Sequence, residues 1–382
     1  MKLKTWHLFV IISILFICSF FIVNQKFDKF YRVNGINNDN RVLIETYLSE
    51  DEQKYLIENH IQIGLFIDYL KDPDFQLKNY QYYNALEQTN RYSQNKDIIL
   101  TGNSLVNRLT YLYNESTALT YAKTLINDDL EKAFLNEDHF EIEYIDIYKN
   151  MKRLYKEGNY QFVDDTKKYI TVLNERGITS RDDLIDVFEK LTTAYSQTSL
   201  SHLMSANLPQ DVSLVYDPYV LSTVLDEKHY VGTYEPNGLL LLQDIPRVKY
   251  TMYLQSDAYD ALLKMYQDLS QTMDGFLVRS AYNSPQSLNK ERIGYDETQL
   301  GLTVSITKSF VSYKEFETTD ISKWLEEHAY EYGFILRYPK HKASITNKPY
   351  DAHIYRYVGK SLAKSLHDEN LTLEEYNAMN NE

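Results

Sequence analysis

Nine histidines are the side chains of this chain best suited to acid–base work or metal ligation, yet they are scattered. No two stand at the spacing that puts imidazoles on one face of a helix, as an H-E-x-x-H string would. His60, His139, His202, His229, His328, His341 and His367 therefore read as surface or capping residues, and His7 lies at the edge of an apolar run. There is no G-x-S-x-G elbow for a serine nucleophile, no phosphate loop, and no cysteine pair for zinc or a disulfide. The single cysteine, Cys18, sits inside the apolar run without the small preceding residues of a lipoprotein site, since Phe16 and Ile17 occupy them. Charges such as Asp128, Asp129, Glu131 and Lys132 read as a solvated helix face. With 54 acidic against 40 basic residues and a net charge of -14, the chain lacks the positive field that dominates nucleic-acid affinity, so no nucleic-acid partner is expected.

The elements that must position any chemistry follow from composition and period. Trp6 to Val23 is uncharged and close to the roughly 20 residues needed to cross a bilayer, which predicts an uncleaved single-pass anchor in preference to a cleaved signal peptide. Lys2 and Lys4 on one side balance Lys26, Lys29 and Arg32 on the other, so charge alone does not orient the span. The short leading tail favours an extracytoplasmic C-terminal region at a bacterial cell membrane, and a cysteine-free exported part agrees with that. Over residues 42–206, apolar residues recur at three- and four-residue steps, as in Leu184, Val187, Phe188 and Leu191, predicting helices broken near Asn90, Asn136 and Asn174. The turn-rich SANLPQDVS opens a different texture. Strands are predicted at 212–216, 238–242 and 248–254, with a helix at 259–269. The fold class is α+β, in three parts: an anchor at 1–29, a helical region at 30–206 and a third domain at 207–382 with a small antiparallel sheet.

Within that third part, GYDETQLGLTVSI (294–306), WLEEHAYEYGFILRYPKHK (324–342) and ITNKPYDAHIYRYVGKSLAKSL (345–366) resemble the VanY-type D-alanyl-D-alanine carboxypeptidases. These are zinc peptidases of bacterial cell-wall metabolism. The resemblance runs over about 211–376, takes in VYDPYVL at 215–221 and leaves the helical half uncovered.

The resemblance implies a metal string S-x-H-x-x-G-x-A-x-D and a later E-x-x-H. With Gly301 on the motif glycine, the serine falls on Asp296, the histidine ligand on Thr298, the alanine on Thr303 and the aspartate ligand on Ser305. With 356–359 on the family's R-Y-V-G, the base falls on Asp351 and the last histidine ligand on Ile354. None of Thr298, Ser305 and Ile354 suits zinc, which needs three Cys, His, Asp or Glu ligands at a catalytic site. No metal is therefore expected, and Asp351 is a degenerate base with no metal-bound water to activate. The family's S-G-Y-R-S clamp corresponds to Ser280, Ala281, Tyr282, Asn283 and Ser284, so the carboxylate-binding arginine is replaced by Asn283, with Arg279 a nearby substitute. Tyr282, Asn283, Ser284, Asp296, Gln299 and His353 are the expected substrate-binding residues. Gly301, Trp324, Tyr332, Gly333 and Gly359 carry the fold. The expectation is an inactive, membrane-anchored protein that binds a peptidoglycan stem peptide or a cell-wall protein. The alternatives are an active D,D-carboxypeptidase with relocated ligands at His353, Asp351 and Asp296, or a sensor role carried by the helical half.

Overall fold

The structure is a computed structural model describing residues 5–31 and 33–380; of the cations flanking the apolar run, Lys2, Lys4, Arg32 and the Lys26 side chain lie outside them. The chain divides into two compact units, Met1–Ile145 and Asp146–Glu382.

The first unit is helical. Its leading helix, Thr5–Phe27, contains the uncharged window Trp6–Val23, which is long and apolar enough to cross a membrane and none of which is buried. The later helices form where apolar residues repeat at helical steps: in Asn95–Leu112 the buried positions are Ile98, Ile99, Gly102, Leu105 and Leu109. Polar residues cap helices of this unit at places other than the predicted breaks. Ser49 and Glu52 form a reciprocal capping box at Glu50–Glu58, and Asn114 caps Glu115–Asn127. Each such cap is worth about 1 kcal/mol. Phe30, Ile44, Leu56, Phe66 and Leu77 anchor one core of this unit.

The second unit begins with helices and ends with a sheet. Phe162–Glu175, Arg181–Ala194 and Gln197–Met204 precede the first strand, β1 (Ser213–Leu214), and no strand occurs before it among the described residues. These helices are hydrogen-bonded to the chain segment between 212 and 233. The Arg176 guanidinium donates to the Val212 carbonyl at 2.7 Å, and Ser199 Oγ to the Thr233 carbonyl at 3.0 Å. The compositional change at 206/207 thus lies inside the second packed unit.

β2 (His229–Tyr230) pairs with β1 in parallel, and β3 (Leu239–Leu241) pairs antiparallel with β4 (Tyr253–Gln255). The strand predicted over 248–254 is only β4. Upstream of it, Arg247 donates to the carbonyls of Leu242, Gln243, Ile245 and Tyr250, closing a turn that leaves Val248 and Tyr250 exposed. Helix Ser256–Leu269 comes next, with Ala258, Leu262, Met265 and Leu269 on its buried face.

The main sheet is antiparallel with order β5–β6–β8–β7, where β5 is Phe276–Ser280, β6 Thr303–Lys308, β7 Phe334–Tyr338 and β8 Asp351–Tyr357. Residues 303–306 of the inner strand β6, Thr-Val-Ser-Ile, are buried on both faces, as a segment rich in β-branched residues between two neighbours should be. Trp324 and Tyr332 are half-buried partners with ring centroids 5.9 Å apart, and so sit at the margin of the core. Gly359 opens Lys360–Glu369, after which comes one more helix, Leu373–Asn380.

Candidate functional site

Strand geometry places the family-motif positions. Ser305 on β6 is the register partner of Ile354 on β8, and Thr303 is that of Arg356. Residues opposite one another in an antiparallel pair share a face, and successive residues alternate. Thr303, Ser305, Ile354 and Arg356 therefore share one face. That face floors a cavity of about 570 Å³ in the second unit, lined by Thr298, Thr303, Ile354, Leu225, Tyr295 and Tyr338 together with charged groups. The loop before β6 reaches it through two glycines in the left-handed region. Gly294 (φ +84°) passes so close to Tyr230 that a Cβ would fall 2.2 Å from its ring, and Gly301 (φ +69°) ends the 3-10 turn Glu297–Leu300.

Thr298, at the first implied ligand position, bonds to its polar neighbours. Asn283 Nδ2 donates to Thr298 Oγ1 at 3.0 Å, Thr298 Oγ1 donates to Asp296 Oδ1 at 2.6 Å, and Asp296 Oδ2 is ion-paired with Arg292. Asp296 is buried, and its Oδ1 also accepts the Thr298 backbone N–H at 2.9 Å. Behind this chain, buried Arg337 holds Glu297 and Glu374. Burial would lower the arginine's pKa, but the charges and hydrogen bonds of Glu297 and Glu374 outweigh it and raise it.

Several expected site residues lie elsewhere. His353 points to the face opposite Ile354, where it is 1% exposed and stacked between Tyr313 and Phe316, with ring centroids 3.8 and 4.3 Å away. Its two ring nitrogens face the carbonyls of Ile306 (2.6 Å) and Tyr313 (3.0 Å). A one-residue shift that would turn it into the cleft is absent, because β6 fixes the register at Ile354. Asp351 accepts the Tyr313 hydroxyl at 2.5 Å and the His353 backbone N–H at 3.0 Å, and does not line the cavity. Burial and the Asp351 hydrogen bond push the Tyr313 phenol up to about 12. Arg279 lies over the Tyr313 ring at 4.6 Å, so it does not replace the clamp at Asn283.

Gln299 is fully buried and structural. It accepts the Gly294 N–H and donates both amide hydrogens to the carbonyls of Gly232 and Tyr234, and its burial closes it to a ligand. The Tyr282 hydroxyl is buried without a hydrogen-bond partner, and Ser284 precedes the turn Pro285–Ser287; neither lines the cavity. Of the expected substrate-binding set, the cavity brings together Asp296 on its wall and Asn283 through Thr298.

The wall contains charges that carried no motif in the sequence: Asp226, Glu227, Glu291, Arg292 and Lys348. For Asp226 a signal existed in its D-x-x-H spacing to His229, read as a surface histidine. Asp226 Oδ1 lies 2.7 Å from His229 Nδ1, and that hydrogen bond raises the His229 pKa. Burial acts to raise Asp226, but the His229 hydrogen bond and the Lys228 N–H outweigh it and lower it. The histidine's contribution to stability is complete below its ordinary value of about 6.5 and is lost as pH rises through its raised folded value. For Asp226 it is present above the ordinary carboxylate value and is lost as pH falls through the depressed one. An NMR titration of the His229 imidazole should show a midpoint above the ordinary histidine value that falls back in Asp226→Asn.

A catalytic zinc does not fit these residues. A hydroxyl at 298, a hydroxyl at 305 and a hydrocarbon at 354 supply none of its usual ligands, and among the described residues no group of three or more His, Cys, Asp or Glu is placed to hold a metal.

Residues 283–360 match the VanY family model, described as D-alanyl-D-alanine carboxypeptidase. The YodJ protein of Bacillus subtilis (strain 168), which carries a carboxypeptidase name, is 32% identical over 185 residues, covering 41% of this chain and 66% of YodJ. A D-alanyl-D-alanine carboxypeptidase of Enterococcus faecium is 39% identical over 83 residues, covering 22% of this chain and 26% of the relative. The chain thus spans just under two thirds of the first relative and about a quarter of the second. A solved LdcB LD-carboxypeptidase aligns at 29% identity with a TM-score of 0.41, over 45% of this chain and 91% of that one. Residues 283–360 are thus similar to the VanY family domain.

Proposed function

We propose that this protein is a membrane-anchored, zinc-free VanY-family protein that binds a cell-wall peptide outside the membrane without cleaving it. The observation that carries the reading is the closed chain Asn283–Thr298–Asp296–Arg292, which takes in the implied clamp position 283 and the implied ligand position 298. Hydrolysis needs a polarised carbonyl and an activated water; the metal-ligand positions are occupied by two hydroxyls and an isoleucine, and Asp351 at the base position does not line the cavity. Binding needs only a shaped cleft with a few placed polar groups, and a cavity of about 570 Å³ is in the range that takes small ligands. The Trp6–Val23 window supports a single-pass anchor, and the extracytoplasmic side belongs to the cell-wall reading.

The test uses the full chain in detergent micelles with a pentapeptide muropeptide and added zinc. Calorimetry should register binding while D-alanine release stays at background. Release that is abolished by chelator would overturn the non-hydrolytic reading, and absence of binding would overturn the peptide reading.

A further inference from the structure

The geometry points to Arg292 as the group that takes a ligand's carboxylate in this cleft, in place of the arginine missing at position 283. The inference rests on the peptide-binding reading above and names the chemistry of the bound end. Arg292 lines the cavity, and 60% of its side chain is exposed, so its guanidinium is open to a ligand. Its partner is the opposite: the Asp296 side chain is 6% exposed and fixed by the Thr298 N–H and hydroxyl.

A guanidinium has five N–H donors in a planar fork, more than the single Asp296 carboxylate can take up, so donors remain for a ligand. Asn283, at the implied clamp position, is joined to Arg292 through Thr298 and Asp296, so the cation stands at the other end of one hydrogen-bonded chain. Anchoring the fork on a buried carboxylate restricts its rotamers before a ligand arrives, which lowers the ordering cost of binding. Of the other wall charges, Glu297 is paired with Arg337 and Asp226 with His229, while Lys348 is a second wall cation that offers a point charge and no planar fork. Glu227 and Glu291 remain as exposed wall carboxylates, which weaken the general field for an anion, so discrimination comes from local donor geometry.

The test compares, by calorimetry on the full chain in micelles, a pentapeptide ending in D-Ala-D-Ala as free acid with the same peptide as its C-terminal amide. The free acid should bind about tenfold more tightly, the increment of one charge-assisted contact. Arg292→Gln should remove that difference by weakening the acid alone, and Asp296→Asn should reduce it by releasing the fork. The amide serves as the internal control for folding, since it should bind parent and Arg292→Gln alike. Equal affinity of the parent for acid and amide, or a preference that survives Arg292→Gln, would overturn the assignment and leave peptide binding standing. If neither peptide binds, both readings fall together.

Discussion

A variant carrying Thr298→His, Ser305→Asp and Ile354→His is expected to purify with one zinc ion per chain, against none for the parent. Position 298 opens into the cavity, and Ile354 on its floor is the cross-strand partner of Ser305, so the three new ligands would converge. Opposed residues of an antiparallel pair hold their Cβ atoms about 5 Å apart, close enough for an imidazole and a carboxylate to meet one metal. Zinc bound by a complete protein ligand set contributes on the order of 10 kcal/mol at neutral pH, far above the roughly 1–3 kcal/mol lost by removing the Ile354 side chain from apolar contact. Each single substitution should stay metal-free, because the other two positions still offer no ligand. Elemental analysis after dialysis gives the stoichiometry, and a zinc-dependent rise in melting temperature gives the affinity. A folded triple variant without zinc would show that the bonds from Asn283 to Thr298 and Asp296 had narrowed the site beyond repair by ligands alone.

The fold was legible in sequence where period and register carried it. Leu184, Val187, Phe188 and Leu191 predicted a helix, and all four are buried in Arg181–Ala194. The family motifs placed positions 305 and 354 as two implied ligands, and the β6–β8 ladder pairs those residues, although the pairing itself is visible only in the structure. What stayed hidden depends on contacts between residues far apart in the chain. The turn at 248–252 reads as a strand by its apolar residues, and only the reach of Arg247 to four carbonyls shows otherwise. His353 illustrates the limit most directly: one position from a ligand site in sequence, it faces the other side of the sheet. Arg292 carried no motif at all, and its role depends on a buried Asp296 that sequence could name but not place.

Arg337→Ala is expected to destabilise the second unit by about 3–5 kcal/mol, the usual cost of removing one partner from a buried ion pair. The arginine is 2% exposed; its Nε lies 2.8 and 2.9 Å from the two Glu297 oxygens, and its Nη2 lies 2.6 Å from Glu374. Its loss leaves two carboxylates near one another with no cation between them, so desolvation and repulsion add. Stabilities of whole domains are only about 5–15 kcal/mol, so the effect is large. Urea unfolding followed by Trp324 fluorescence reads this unit, since the other tryptophan is Trp6 in the leading helix. Arg337→Lys should lose less but not recover the parent value, because one ammonium cannot present a planar fork to two carboxylates. Adding Glu297→Gln and Glu374→Gln to Arg337→Ala should restore much of the loss by removing the unpaired charges. If Arg337→Ala unfolds with the parent midpoint, the carboxylates have found water or protons, and the triad is not what stiffens the wall. Glu297 lies between Asp296 and Thr298, so a true loss of the triad should also weaken peptide binding. That makes the buried pair the physical link between the stability of the unit and the shape of its cleft.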